Sequence, residues 1–284
     1  MGAFSVVTNI GALNAQNNLI RTERGLQSTI NRLSSGLRIN GAQDDAAGLA
    51  IAENLRADVQ GLNQAVRNAN DGLSLINVAD SALAELSNLL QRAMTLAEQA
   101  ASDTSGLDSS SSKSAINDEY TAILQELDRI AATVEFNGME LLSGSGTSID
   151  VQVGLGATID DRISVSTSGV TASGLGLSSD AMLTKSSARA ELAEIQSAID
   201  SVSADRGDLG AAYNRLQHTI SVIAVQAQNL QAAEAQIGVA NIAQGVGSLA
   251  SSQVLAQRGL AALAQANTAA QTVLALLGGW VGED

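Results

Sequence analysis

"LRADVQGLNQAVRNANDGLSLINVADSALAELSNLLQRAMTLA", Leu55 to Ala97, is built on sevens. Leu55, Leu62, Ala69, Ile76, Leu83, Leu90 and Ala97 recur at the spacing at which an α-helix returns nearly the same face to a partner. Val59, Val66 and Leu73 follow four residues on until Asp80 interrupts them, and Ala79, Leu86 and Ala93 then take over the second position. The changeover reads as a stutter, in which the apolar seam drifts around a helix that continues. A single helix from Asp45 to Ala101 would run on the order of 85 Å at ~1.5 Å per residue, which no compact sphere accommodates.

Sevens also organise the rest of the chain. Leu19, Leu26 and Leu33 repeat near the start, with Ile30 and Leu37 offset by four. Ala188, Ile195, Val202, Leu209, Leu216, Ile223, Leu230 and Ile237 form a second long frame, supported by Leu192, Ile199, Tyr213, Ile220 and Ala227 and broken by Arg206. A last frame runs Ile242, Leu249, Ala256, Leu263, Ala270 and Leu277, flanked by Val246, Leu260 and Leu274. The Ser-rich segment Ser102 to Ser114 reads as a turn. A shorter helix through Ile116, Tyr120, Ile123, Leu127 and Ile130 follows and is broken by "EFNG" at Asn137-Gly138. Alternation at Ile149, Val151, Val153, Ile163 and Val165 predicts a hairpin within residues 149–177, the one β signal. The expected fold is mainly α: a long antiparallel coiled-coil bundle with one small β-hairpin, its terminal helices pairing as an inner coiled coil. Three parts are expected: residues 1–43 as inner helix and joint, 44–236 as a rod-like core, and 237–284 as C-terminal inner helix and tail.

Composition agrees with helices packed side by side. The 284 residues contain no proline, no cysteine and 2% aromatics, while 45% are hydrophobic; Ala, Leu, Ile and Val supply most of these and let helices approach closely. A formal charge of −14 argues against binding nucleic acid or an anionic membrane. Disulfides and thiolate metal sites are excluded, and either a reducing cytosol or the cell exterior is permitted. The N-terminus has no basic region ahead of an apolar core and does not read as a cleaved signal; no apolar run of about 18 residues could span a bilayer. From Leu216 to Gly282 the only charged residues are Glu234 and Arg258. A helix with small neutral residues on every side expects neighbours on every side, and the remaining chain is too short to supply them, which points to other copies.

No constellation for chemistry assembles. His218, the single histidine, lacks an acidic residue at i±3 or i±4 and is read as a packing or surface residue. Gly154-Leu155-Gly156 lacks the third glycine and following helix of a dinucleotide loop. The pairs Asp44-Asp45, Asp160-Asp161 and Glu283-Asp284 lack the spaced ligand array of a calcium loop. Neither cofactor nor metal is expected. The stretch from Asn31 to Leu55 reads as a joint: Asn40-Gly41 permits a change of direction, Asp44 or Asp45 starts the long helix, and Arg38 and the aspartates are candidates for pairing with another copy.

These residues resemble bacterial flagellin. "ALNAQNNL" from Ala12, "RLSSGLRINGAQDDAAGLAIAENL" from Arg32, "NANDGLSLINVADSAL" from Asn68 and "EFNG" are similar to its N-terminal signature. "LGAAYNRLQHTI" from Leu209, "NLQAAEAQI" from Asn229 and "LAQANTAAQTVLALL" from Leu263 are similar to its C-terminal one. The resemblance covers nearly the whole chain, in a short form without variable outer domains. It implies a structural, non-enzymatic subunit of the extracellular flagellar filament, whose terminal helices form an inner coiled coil through Leu19, Leu26, Leu33, Ile242, Leu249 and Leu263. It also implies export through the flagellar apparatus without a cleaved signal, a chaperone for the C-terminal helices, a filament cap and hook-filament junction proteins. Contact with the host Toll-like receptor for flagellin is implied at Gln91, Arg92, Leu96 and Glu119; two arginines usual in that contact are replaced by Met94 and Ile123, which removes two charge-assisted bonds worth about 1.5–3 kcal/mol each. The chain departs from the family at Gly238-Val239, where a charged pair is usual, and in its "GGWVGED" tail. Gly245 and Gly247, at about 1 kcal/mol each relative to alanine, predict a weak last helix. Rival readings are a hook-filament junction protein and a secreted coiled-coil binding module, of which the second calls for charged outer helix faces.

Overall fold

The computed structural model describes residues 8–102, 110–144 and 146–278. Residues 103–109 of the Ser-rich segment, Trp280 and the acidic tail lie outside these, as do the side chains of Leu274 and Leu277. Five helices are described: α1 (Ile10–Ser35), α2 (Ala46–Ala101), α3 (Ser110–Thr133), α4 (Lys185–Gly238) and α5 (Ile242–Gly278). Four strands, β1 (Glu135–Phe136), β2 (Met139–Glu140), β3 (Thr147–Gln152) and β4 (Arg162–Thr167), form two separate antiparallel pairs. The contacts divide the chain into one unit comprising the segment up to Ala57 and that from Leu230 on, and another comprising Asp58–Asn229.

In the Asp58–Asn229 unit, α2 buries Leu62, Ala69, Ile76, Leu83, Leu90 and Ala97, the frame read from the sequence. Its second seam is Ala65, Gly72, Ala79, Leu86, Ala93 and Ala100, three residues after the first and unbroken. The stutter is therefore absent: Val59, Val66 and Leu73 are half-buried flanking residues. The same offset holds in α4, where Ala188, Ile195, Val202, Leu209 and Leu216 are joined in the core by Glu191, Ala198 and Ala212 rather than by Leu192, Ile199 and Tyr213. Small residues at the second position let the partner helix come close, and large ones flank the contact.

Helices α2 and α4 run antiparallel in this unit. Arg189 Nη2 donates to the Ala101 carbonyl at 3.3 Å, Arg206 Nε meets Asp80 Oδ1 at 2.8 Å, and Gly72 lies against Leu216. Helix α3 adds its fully buried Tyr120, whose hydroxyl donates to the buried Glu191 at 2.6 Å. Glu191 also accepts the Ser178 N–H at 2.9 Å, so the carboxylate of the α4 seam is hydrogen-bonded on arrival in the core. The Ser-rich segment differs from its sequence reading: Ser110–Ser114 already belong to α3.

Strands β3 and β4 form the expected hairpin in register Thr147↔Thr167 to Gln152↔Arg162. Val151, Val153, Ile163 and Val165 are buried, and Val170, Ala172 and Leu177 of the irregular chain that follows cover the same core. A second, very short hairpin was not expected. Glu135 pairs with Glu140 and Phe136 with Met139, around Asn137 and Gly138, whose φ values of 51° and 76° suit a tight two-residue turn. The Asn-Gly pair that ends α3 thus also reverses the chain.

Candidate functional site

The terminal helices and their joint lie within one unit. Asn9 caps α1, its Oδ1 accepting the Ala12 N–H at 3.0 Å, and its Nδ2 donates to the Ala266 carbonyl of α5 at 2.9 Å. One side chain therefore starts α1 and fixes its partner. Leu19 then faces Gly259, Leu33 faces Gly245, and Leu37 forms an antiparallel bridge with Val239. The sums of these paired numbers barely change, as an antiparallel coiled coil requires.

Leucine-to-glycine contact explains Gly245, which the sequence read as a weakness, and Gly259 two heptads on, but not Gly247. A Cβ added at Gly245 would stand 3.0 Å from Leu33 Cδ2, and one added at Gly259 would stand 3.3 Å from Leu19 Cδ1. The second seam of α5 is Gly245, Ser252, Gly259 and Ala266, three residues after Ile242, Leu249, Ala256 and Leu263. Opposite it, α1 presents Leu19, Leu26 and Leu33 with Thr22 and Thr29, while Ile30 is exposed. Helix α5 is continuous over 37 residues despite its glycines.

Of the assembly residues read from sequence, Leu19, Leu26, Leu33, Leu249 and Leu263 lie half-buried on the α1–α5 seam. Ile242 is instead exposed, with Val246, Val254, Leu255 and Leu260, all between 48% and 56%. None of α1 is fully buried. The pair thus closes one seam and leaves aliphatic side chains on other faces.

In the joint, α1 ends at Gly36, whose φ of 71° is the left-handed C-cap that glycine adopts without strain. Asn40 and Gly41 have no left-handed φ, but a turn does begin there, the Asp44 N–H donating to the Gly41 carbonyl at 3.0 Å. Beyond Gly36 the chain is held by α4 and its exit: Arg38 N–H donates to the Gly238 carbonyl at 2.7 Å, Ala240 N–H to the Gly36 carbonyl at 2.9 Å, and Arg38 Nε to the Ile237 carbonyl at 2.9 Å. Gly238-Val239 is thus one half of a small backbone clasp.

The two aspartates divide the work. Asp45 Oδ1 accepts the Gly48 N–H at 2.9 Å and starts α2. Asp44 accepts the Asn40 N–H at 3.1 Å and pairs with Arg32 at 3.3 Å. The Asn40 amide, with the Arg32 guanidinium beside it, holds the Asp44 carboxyl below the usual carboxylate range. Arg56 adds ion pairs to Glu53 and Glu234 at 2.8 and 2.9 Å. Sequence reading missed Asn9, Arg32 and Arg56, although an Asn directly before an apolar-periodic run is a recognisable helix start.

Elsewhere, Arg92 and Glu119 come together, with Arg92 Nε 3.0 Å from Glu119 Oε1. Gln91 is exposed, while Leu96 is only 2% exposed and presents no surface. His218 is exposed on α4. Among the described residues no group of three or more His, Cys, Asp or Glu could hold a metal ion, and no helix is long and apolar enough to cross a membrane.

Comparison with known proteins agrees with this arrangement. Residues 6–147 match the bacterial flagellin N-terminal helical region, and residues 192–277 match the bacterial flagellin C-terminal helical region. The chain is 39% identical over 283 residues to flagellin FlaB1 of Treponema pallidum, covering 95% of this chain and 98% of that one. It is 38% identical to the flagellar filament 33 kDa core protein of Treponema phagedenis, with the same coverage, and 36% identical over 299 residues to flagellin of Bacillus subtilis, again covering 95% and 98%. The chain belongs to the bacterial flagellin family.

Proposed function

We propose that the α1–α5 pair is the inner assembly element of a flagellar filament subunit, covered by other copies of the same chain. The protein is a structural subunit and not an enzyme. The observation that carries the reading is the outer surface of α5, where Val246, Val254, Leu255 and Leu260 stand exposed on a helix whose single charged residue is Arg258. A solvated helix would carry a charged outer face; this one needs neighbours.

Charge distribution supports the same division of labour. Residues 58–229 hold 22 Asp and Glu against 9 Lys and Arg, whereas the remaining residues hold 7 against 6. Copies that meet through the near-neutral terminal helices avoid the repulsion that the acidic unit would impose. On this reading residues 1–43 and 237–284 form the inner layer, residues 44–236 the next layer outward, and Arg38, Asn40, Gly41, Asp44 and Asp45 set the angle between consecutive helices.

The finer partners follow the same reading. The subunit is exported through the flagellar apparatus to the cell exterior, is held beforehand by a chaperone on its C-terminal helices, and is added beneath a filament cap onto a hook-filament junction. The host Toll-like receptor meets Gln91, Arg92 and Glu119, with buried Leu96 acting only as support beneath them.

The test is seeded growth. Purified chain added to fragments of its own filaments should elongate them, followed by light scattering and electron microscopy, while a chain lacking residues 238–284 should not. Equal elongation by the shortened chain would sink the assignment.

A further inference from the structure

Two Asn-Gly pairs occur in the chain, Asn40-Gly41 in the joint and Asn137-Gly138 in the β1–β2 turn. In this dipeptide the glycine nitrogen can attack the asparagine carboxamide, because no side chain on the following residue hinders its approach. Both asparagines are exposed, so exposure does not choose between them. Backbone geometry does.

Asn137 and Gly138 are fixed at φ values of 51° and 76° in a tight turn closed by the pairs Phe136↔Met139 and Glu135↔Glu140. A five-membered imide forms only when the peptide between the two residues rotates to bring the nitrogen onto the side chain, and in this turn that rotation opens both pairs. The reaction at Asn137 is therefore coupled to opening of the hairpin.

Asn40 is placed differently. Its N–H donates to Asp44 Oδ2 at 3.1 Å and the Gly41 carbonyl accepts the Asp44 N–H at 3.0 Å, so both ends of the dipeptide are held. Between them, the Asn40 carbonyl and the Gly41 N–H form no hydrogen bond among the described residues, and neither does the Asn40 carboxamide. Neither residue is at positive φ. The peptide that must turn is free while its flanks are anchored. A polar cleft of about 300 Å³, which Asn40 lines with Arg24, Asn31, Arg32 and Gln43, leaves ample room for water at this side chain. Arg24 makes no ion pair among the described residues, so the cleft also holds an uncommitted guanidinium for a carboxylate formed at position 40.

We propose that Asn40 is a self-modification site. The Gly41 nitrogen bonds to the side-chain carbonyl carbon of Asn40, the bond from that carbon to Nδ2 breaks, and ammonia leaves with the proton that the Gly41 amide gives up through water. Water then adds to either carbonyl of the imide and opens it to aspartate or to isoaspartate, with no change of oxidation state. Isoaspartate carries the main chain through the side-chain carbon and lengthens the joint by one atom, two residues past the bonds from Arg38 to Gly238 and Ile237. The age of a subunit is thereby written into the segment that joins α1 to α2.

Peptide mapping tests it. The full chain is kept folded in mildly alkaline buffer, sampled over days and digested with trypsin, which releases Asn40 in Ile39–Arg56 and Asn137 in Ile130–Arg162. Mass spectrometry locates the amide-to-acid change, and enzymatic carboxyl methylation counts isoaspartate independently. Asn40 should convert on the order of tenfold faster than Asn137, to a mixture of isoaspartate and aspartate, and the gap should close in urea, where neither site is held. A Cβ at Gly41 meets only Gln43 Cγ, at 3.9 Å, so Gly41→Ala should leave helicity and melting unchanged while its methyl slows Asn40 on the order of tenfold. Conversion of Asn137 as fast as Asn40 in the folded chain, an unmodified Asn40, aspartate formed without isoaspartate, or a Gly41→Ala chain that converts undiminished would each overturn the proposal. The readout needs no filament, so a chain that fails to elongate seeds removes the filament reading and not this site.

Discussion

Asp80 of α2 and Arg206 of α4, the two charges that interrupt the apolar spacing in the sequence, face each other with Nε 2.8 Å from Oδ1. Each alone looks like a defect. Together they lie just outside the close-packed seams and match one helix to the other. The side chains of Asp80 and Arg206 are 45% and 41% exposed, so the pair is solvated and contributes little to stability, about 0.2–1 kcal/mol. A double-mutant cycle with Asp80→Ala and Arg206→Ala, followed by denaturant unfolding, is expected to give a coupling energy in that range. Asp80→Arg, which places like charges in contact, should destabilise more than Asp80→Ala.

Gly245 and Gly247 stand two residues apart in α5 and should respond in opposite ways. Nothing lies within 4 Å of a Cβ at Gly247, so Gly247→Ala should stabilise the helix by about 0.5–1 kcal/mol. At Gly245 a Cβ meets Leu33, and Gly245→Val should push α1 and α5 apart. Circular dichroism melts of the two variants check this, with helicity rising in the first and falling in the second.

The hydrogen bond from Tyr120 to Glu191 predicts alkaline instability. Burial, then the adjoining carboxylate, raise the Tyr120 phenol above the ordinary tyrosine range. An unfolded tyrosine ionises near pH 10. The folded chain therefore keeps a proton that the unfolded chain loses, so the stabilisation is full below about pH 10 and declines as pH rises beyond it. Tyr120→Phe should lower stability at neutral pH by about 1.5–3 kcal/mol, the worth of a hydrogen bond to a charged group. It should also flatten the dependence between pH 9 and 11, measured by urea midpoints.

Asp44 predicts the opposite dependence for the joint. Its folded carboxyl is lowered from 3.8 by the Asn40 N–H and Arg32. That contribution is present above the unfolded value and is lost as pH falls through the folded one. Hydrogen exchange at the Asn40 amide, corrected for intrinsic rate, should quicken on acidification below pH 4. Asp44→Asn should show faster exchange already at neutral pH.

The long helices were legible because Leu, Ile and Ala recur at sevens over many turns, and α2 and α4 begin and end within a few residues of where that pattern does. The second seam was legible in the later half of α2, at Ala79, Leu86 and Ala93, and was missed elsewhere for one physical reason. Residues that let backbones approach closely are small, so Gly72, Thr29, Ala198 and Gly259 send no hydrophobic signal, while the larger Leu73, Ile30, Ile199 and Leu260 beside them do. The eye follows size, and packing follows closeness. The β1–β2 hairpin was hidden by strands of two residues each, too short for alternation to register. At the joint, Asn40-Gly41 drew attention as a turn pair, yet Gly36, following two serines, makes the left-handed turn. The charges there looked like a site or an interface, and Arg38 and Asp44 prove to be held within the chain.

Filament assembly, on this account, rests on the exposed face of α5. Val254 and Leu255 are half exposed and occupy no seam position, so Val254→Asp with Leu255→Asp should leave the α1–α5 seam in place. The direct measurement is the elongation rate of filament seeds with this variant, beside its melting curve. Filament assembly through α5 predicts an unchanged melt and loss of elongation, since buried unpaired carboxylates at a subunit contact are strongly unfavourable. Elongation at the rate of the unchanged chain would contradict it.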